Sequence, residues 1–182
     1  NTLLSAINTN IGNIKNITND YSKWDDSYDF MNNGNEDYIY ENFREGTTTL
    51  EDLDVDFIIY SNLKQKTAFS KYSNDLLKKN KLDFEKEILK KFQKNIIVNT
   101  VFKYKSHSLY LIKSEIKKSD TTGDTNGYIY SGKIINNENL NAMTRVFKKL
   151  YISNNFQNEN DLLFNLSYLK NIKVKVIPSN SI

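Results

Sequence analysis

The stretch NDYSKWDDSYDF, residues 19–30, sets the single Trp of the chain beside two adjacent aspartates, with a third three residues on. On a helix Asp25 and Asp29 stand one turn apart, and Asp26 and Asp29 are also neighbours, so the cluster invites a shared cation or a positioned water. An oxygen-only cation site, however, takes about six or more ligands, mostly from a loop. Glycosidase chemistry needs two carboxyls facing each other across a cleft, which neighbours on one helix do not provide. The simpler reading has Trp24 and Tyr28, four apart, entering a core while the aspartates bond backbone amides of the following loop. No catalytic residue, metal or cofactor is assigned.

N-terminal to this stretch, Leu4, Ile7, Ile11, Ile14 and Tyr21 repeat at three-four spacing, with Ile17 and Trp24 one heptad apart on a neighbouring line. Thr2 to Phe30 therefore reads as one long helix. Gly34 in MNNGN suits a left-handed stop. The helix starts with the chain and without a cap, as though continuing from a longer one. C-terminal to the stretch, Glu36 to Phe43 predicts a short helix, and TTTLEDL a further turn with a Thr cap and acidic residues. Val55 to Ser61 and KTAFSKY read as a hairpin around NLKQ. Asp83 is placed to cap a helix through Lys94 with Phe84, Ile88, Leu89 and Phe92 as its apolar stripe.

Two strands then meet near Ser106 and His107, and YIYSGKII is another. Asn137 to Tyr151 repeats helical spacing at Leu140, Met143, Phe147 and Leu150. Leu162 to Leu169 is open between helix and strand, and IKVKVIP is a terminal strand. The order predicts one α+β domain over 1–182, with a long N-terminal helix (1–33) packed on a central, mostly antiparallel sheet (50–182).

Composition narrows the function. The chain has 182 residues, 26% charged and 38% apolar, the balance of a folded protein large enough for one core. Its net charge of +3 comes from lysines interleaved with acidic residues, without the basic stripe that nucleic acid binding needs. With no Cys there are no disulfides or thiolate sites. No apolar run approaches the ~20 residues of a membrane span. His107, the sole His, sits between two serines at a strand turn. No Gly-flanked Ser elbow, phosphate-cradling loop or paired-His motif occurs.

The segments DYSKWDDSYDF, EDYIYENF and LDVDFIIYSN, read together, resemble the fourth class of CHASE domains, extracytoplasmic sensory modules of bacterial and archaeal receptors. The family pattern, a Trp-Asp-Asp-(Thr or Ser)-Tyr core followed by an Asn after a short helical stretch, falls on Trp24, Asp25, Asp26, Ser27, Tyr28 and Asn42. NGYIYSGKIINNENLNAM resembles the closing strand and return helix, with Lys133 where the family usually carries Arg. The resemblance runs from about Asp20 to Leu150.

It implies a PAS-like or Cache-like sensor whose first helix rises from one transmembrane span and which is followed by a second. The domain would face the periplasm or the cell exterior from the inner membrane. A histidine kinase, diguanylate cyclase or phosphodiesterase would lie outside the chain as the output. It further implies a non-enzymatic input domain for an unknown small molecule, with the sheet tyrosines Tyr104, Tyr110, Tyr128 and Tyr130 as its walls, and Lys103, Lys105 and Lys133 nearby for an anionic group. The apolar stripe from Leu4 to Ile14 suggests a homodimer through the N-terminal helix. The alternative is a surface adhesin or carbohydrate-binding module using tyrosines as stacking platforms.

Overall fold

The computed structural model describes residues 2–136, 149–153, 162–164 and 173–177, with side chains from 8 to 136. Its elements in chain order are α1 (Thr2–Ser22), α2 (Asp25–Asn33), α3 (Glu36–Phe43), α4 (Thr49–Asp52), β1 (Phe57–Ser61), β2 (Thr67–Tyr72), α5 (Asp75–Lys79), α6 (Lys81–Lys91), β3 (Val98–Tyr104), β4 (His107–Glu115), β5 (Tyr128–Ile135), β6 (Lys149–Ser153), β7 (Leu162–Phe164) and β8 (Lys173–Ile177). One five-stranded sheet has the order β2-β1-β5-β4-β3 and a three-stranded sheet the order β6-β8-β7. The α+β class with a central antiparallel sheet is thus the one the patterning predicts.

Two compact units make up the chain, one of Ile14–Asn99 with Leu111–Lys133, the other of Asn1–Asn13, Thr100–Tyr110 and Ile134–Ile182. In the first, β1 runs antiparallel to β2 on one side and to β5 on the other, with Phe57 opposite both Tyr72 and Gly132. Every residue of β1 is buried, because helices cover both faces. Phe57 meets Phe84 of α6 edge-on at 5.0 Å, while Ile58 and Tyr60 join a cluster with Ile14, Tyr21, Phe30, Tyr38 and Phe43 from the N-terminal helices. Burial on both faces explains why FIIYS reads as a continuous apolar run rather than an alternation.

The N-terminal helix is not continuous to Phe30. Trp24 is extended (φ −77°, ψ 135°) and its carbonyl accepts from Tyr28 N at 3.1 Å, starting α2. Asp25 and Asp26 then occupy the first turn of α2, where carboxylates favour the exposed amides of a helix start. Gly34 closes α2 as expected, at φ 69° with its N–H on Phe30 O. The cap of α6 is Asn80 and not Asp83, which lies in the first turn. Ahead of it stands α5, capped by Asn74 through Leu77 N at 3.2 Å.

In the other unit β8 pairs antiparallel with β6 and β7. The helix expected over Asn137 to Tyr151 lies outside the described residues as far as 148. Its last three positions belong to β6, where Lys149, Leu150 and Tyr151 pair with Ile177, Val176 and Lys175. Leu162–Phe164 resolves to strand and 173–177 to the terminal strand predicted.

Candidate functional site

The residues of the opening motif form a joint between the first helices and the sheet. Trp24, expected in the core, is 40% exposed. The break after Ser22 turns its indole outward onto Tyr21, with ring centroids at 4.2 Å, and Tyr21 is the ring that enters the core, against Phe43 at 5.8 Å. Asp25 bonds a distant loop rather than the adjacent one, accepting from Ser119 N at 2.8 Å and Ser119 Oγ at 3.1 Å. Asp26 is exposed. Half-buried Tyr28 offers its carbonyl to Asn126 Nδ2 at 2.9 Å, and that amide also reaches Asn32. Among the described residues no group of acidic or histidine side chains is arranged to hold a metal.

Behind this surface a buried line of hydroxyls crosses three elements. Ser27 of α2 and Tyr38 of α3 share a hydrogen bond of 2.7 Å, and Tyr38 and Tyr60 of β1 one of 2.6 Å. Burial pushes the Tyr38 phenol up to about 12 and Tyr60 well above its ordinary value, so both stay protonated and able to donate. Asn42 folds its amide back onto Tyr38 O at 2.9 Å, and its carbonyl accepts from Thr49 Oγ1 at 2.6 Å, tying α3 to α4. On α1, Thr18 bonds Ile14 O at 2.7 Å and Ser131 of β5.

The sheet tyrosines divide between the two units. Tyr104 and Tyr110 are buried in one, and the Tyr110 hydroxyl has no hydrogen-bond partner among the described residues. In the other, buried Tyr130 donates to Gln65 Oε1 at 2.9 Å and Tyr128 is half-buried. Lys103 and Lys105 are exposed, whereas Lys133 is buried and paired with Asp54.

A lysine that the sequence did not single out stands beside Tyr128 and Tyr130. Lys113 of β4 is fully buried; its ammonium donates to Phe92 O at 2.9 Å and to Asn95 O, 4.0 Å from the Tyr128 ring centroid and 5.1 Å from that of Tyr130. Its only sequence signal is a charge inside the strand run LYLIKSE. Burial lowers its pKa to about 8, opposed by Glu115. Lysine side-chain NMR is expected to show one ammonium titrating near pH 8, lost in Lys113→Met. Since the folded value lies below the ordinary 10.5, the unfolded chain holds the extra proton between those two values. This group therefore favours folding increasingly as pH rises through that window. A midpoint at the ordinary lysine value contradicts the burial.

Next to the joint lies a cavity of about 980 Å³ between α2–α3 and the β1–β2 hairpin. Phe30, Met31, Ile39, Phe43 and Phe69 give it an apolar floor, and Glu36, Tyr40, Arg44 and Glu45 belong to its polar lining. The trace of it in the sequence is EDYIYENFRE, where Ile39 and Phe43 sit one turn apart, as do Tyr40 and Arg44. Arg44 covers the Tyr40 ring at 5.5 Å.

A family model described as CHASE4 domain matches residues 6–158. Two crystal structures of the periplasmic domain of Vibrio cholerae LuxQ are similar in fold. One has a TM-score of 0.64 at 12% identity, covering 98% of this chain and 97% of that one. The selenomethionine form has 0.65 at 11%, covering 98% and 95%. Among curated proteins none matches the chain.

Proposed function

The chain belongs to the CHASE4 domain family, and we propose that it is the signal-input domain of a bacterial transmembrane receptor, facing the periplasm or the cell exterior and reading a small molecule. The observation that supports this most is that α2 and α3, which wall the cavity, also carry the hydroxyl line into β1 and follow α1 across the break at Trp24. An occupant of the cavity touches α2, α3 and the hairpin together. Movement of α2 acts on α1 through that break, and α1 is the helix that would run toward the membrane. The chemistry of the output, a histidine kinase, diguanylate cyclase or phosphodiesterase, lies in other parts of the receptor. Among the described residues no helix is long and apolar enough to cross a membrane.

For pairing of two copies through α1, the side chains of Leu4 and Ile7 in the apolar stripe lie outside the described residues, and within the described part another face is open. Ile11 and Ile14 are buried, and the exposed stripe is Thr9, Asn13, Asn16 and Asp20. For Tyr128 and Tyr130 as ligand walls, the support is the ammonium of Lys113 beside both rings, and for Tyr104 and Tyr110, in the other unit, it is the Tyr110 hydroxyl left without a partner among the described residues. The adhesin reading loses its motive, since among tyrosines with described side chains Tyr40 alone is exposed.

The chain has no Cys, so Asn16→Cys in the full-length protein introduces a thiol unique within the domain. A membrane-impermeant maleimide is expected to label it in intact cells with a permeabilised outer layer. Labelling only after lysis of the inner membrane would falsify the placement.

A further inference from the structure

We propose that the cavity between α2–α3 and the β1–β2 hairpin binds an amphipathic organic cation, a small amine with an aromatic or branched apolar body. The inference deepens the sensor reading by naming the ligand class of that cavity. Its volume of about 980 Å³ holds a molecule of ordinary ligand size. The floor of Phe30, Phe43 and Phe69 has no polar side chain, so the body of the ligand is apolar. Phe43 and Phe69 lie 5.3 Å apart in a tilted pair, which offers ring faces to an aromatic guest.

The rim decides the charge. Glu36 opens α3 and Glu45 follows its end, so the two carboxylates flank the cavity along the helix, roughly 13 Å apart at 1.5 Å per residue. Neither makes a hydrogen bond or ion pair among the described residues. Arg44 is the single basic residue of the lining, and its guanidinium lies over the Tyr40 ring. Lys71, outside the lining, turns its ammonium onto Phe43 O, Arg44 O and Thr47 Oγ1 and interacts electrostatically with Glu45. Within the lining, two carboxylates stand against one guanidinium engaged with Tyr40, over an apolar floor. That combination attracts an ammonium and desolvates the group attached to it, while an anion of the same shape meets both carboxylates.

The test is calorimetric titration of the folded domain with phenethylamine, with 2-phenylethanol and phenylpropionate as its neutral and anionic counterparts, and with spermidine as a cation without an aromatic body. Phenethylamine is expected to bind tightest. The exposed double variant Glu36→Gln, Glu45→Gln is expected to weaken it roughly tenfold, since each rim ion pair contributes little alone, without moving the melting temperature. Ala68→Trp, at an exposed β2 position of the lining, is expected to abolish it by filling the space. Preference for phenylpropionate, equal binding of phenylethanol, tighter binding of spermidine, or no binding by any probe overturns the proposal. Binding unaffected by Ala68→Trp also overturns it, by moving the site. Each of these concerns occupancy alone, and the maleimide labelling reports separately on the sensor reading.

Discussion

Tyr60→Ala is expected to cost about 3–5 kcal/mol of folding stability, the range for emptying a large aromatic position, while Trp24→Ala costs about 1–2 kcal/mol at most. Tyr60 is fully buried in the central strand and in ring contact with Phe30, Tyr38, Phe43 and Phe69. Its removal opens a cavity under three helices and leaves the Tyr38 hydroxyl with Ser27 alone. Tyr60→Phe keeps the ring and loses one hydrogen bond, so about 1 kcal/mol is expected. Trp24 keeps 40% of its surface in water and gives up one stacking contact with Tyr21. Urea unfolding of the three variants is the measurement. Trp24→Ala falling as far as Tyr60→Ala would return the indole to the core.

Gly127→Ala is the second large effect. A Cβ on Gly127 would lie 2.5 Å from the carbonyl oxygen of Ser61 and 3.0 Å from Met31 Cε. The first neighbour is backbone of β1, which cannot turn aside as a side chain does. The glycine also has φ +143°, where L side chains are strained, and its carbonyl accepts from Ile116 N at 2.9 Å. Strain and displacement together are expected to cost about 2–4 kcal/mol. Gly46→Ala, with positive φ but open space around it, isolates the conformational part and is expected to cost about 1 kcal/mol. Equal losses in the two variants, read from the same urea curves, would mean that the approach to Ser61 is relieved without penalty.

Much of the fold was legible because helix and strand periods differ. FIIYS, TAFSKY and YIYSGKII carry the residues that pair in the sheet, and the five-residue motif pointed to the joint. What failed has physical reasons. The periodicity of Thr2 to Phe30 runs unbroken across the point where Trp24 leaves the helix, because Asp25 and Asp26 are good first-turn residues and poor visible breakers. Asp83 competed as a cap with Asn74 and Asn80 in one lysine-rich run, and α5 went unseen between those two: Asn74 caps it through its side chain, while Asn80 precedes α6 without a side-chain cap bond. Leu150 and Tyr151 fit a helical spacing as well as a strand, and their pairing with residues 175 and 176 is a long-range fact. The cavity was invisible for the same reason, since its walls come from segments up to 39 positions apart, Phe30 to Phe69. Lys113 looked like any strand lysine until both faces of β4 were covered.

The motif gains its meaning from Asp25, whose two bonds to Ser119 tie the start of α2 to the loop between β4 and β5. If α1 carries the signal, loosening that tie must change how two α1 helices meet. Disulfide cross-linking of Asn16→Cys in the full-length protein in membranes measures this directly. The account predicts a symmetric cross-link whose yield or rate changes when Asp25→Ala is added. No cross-link at Asn16, or one indifferent to Asp25→Ala, would contradict a joint that couples the sheet to α1.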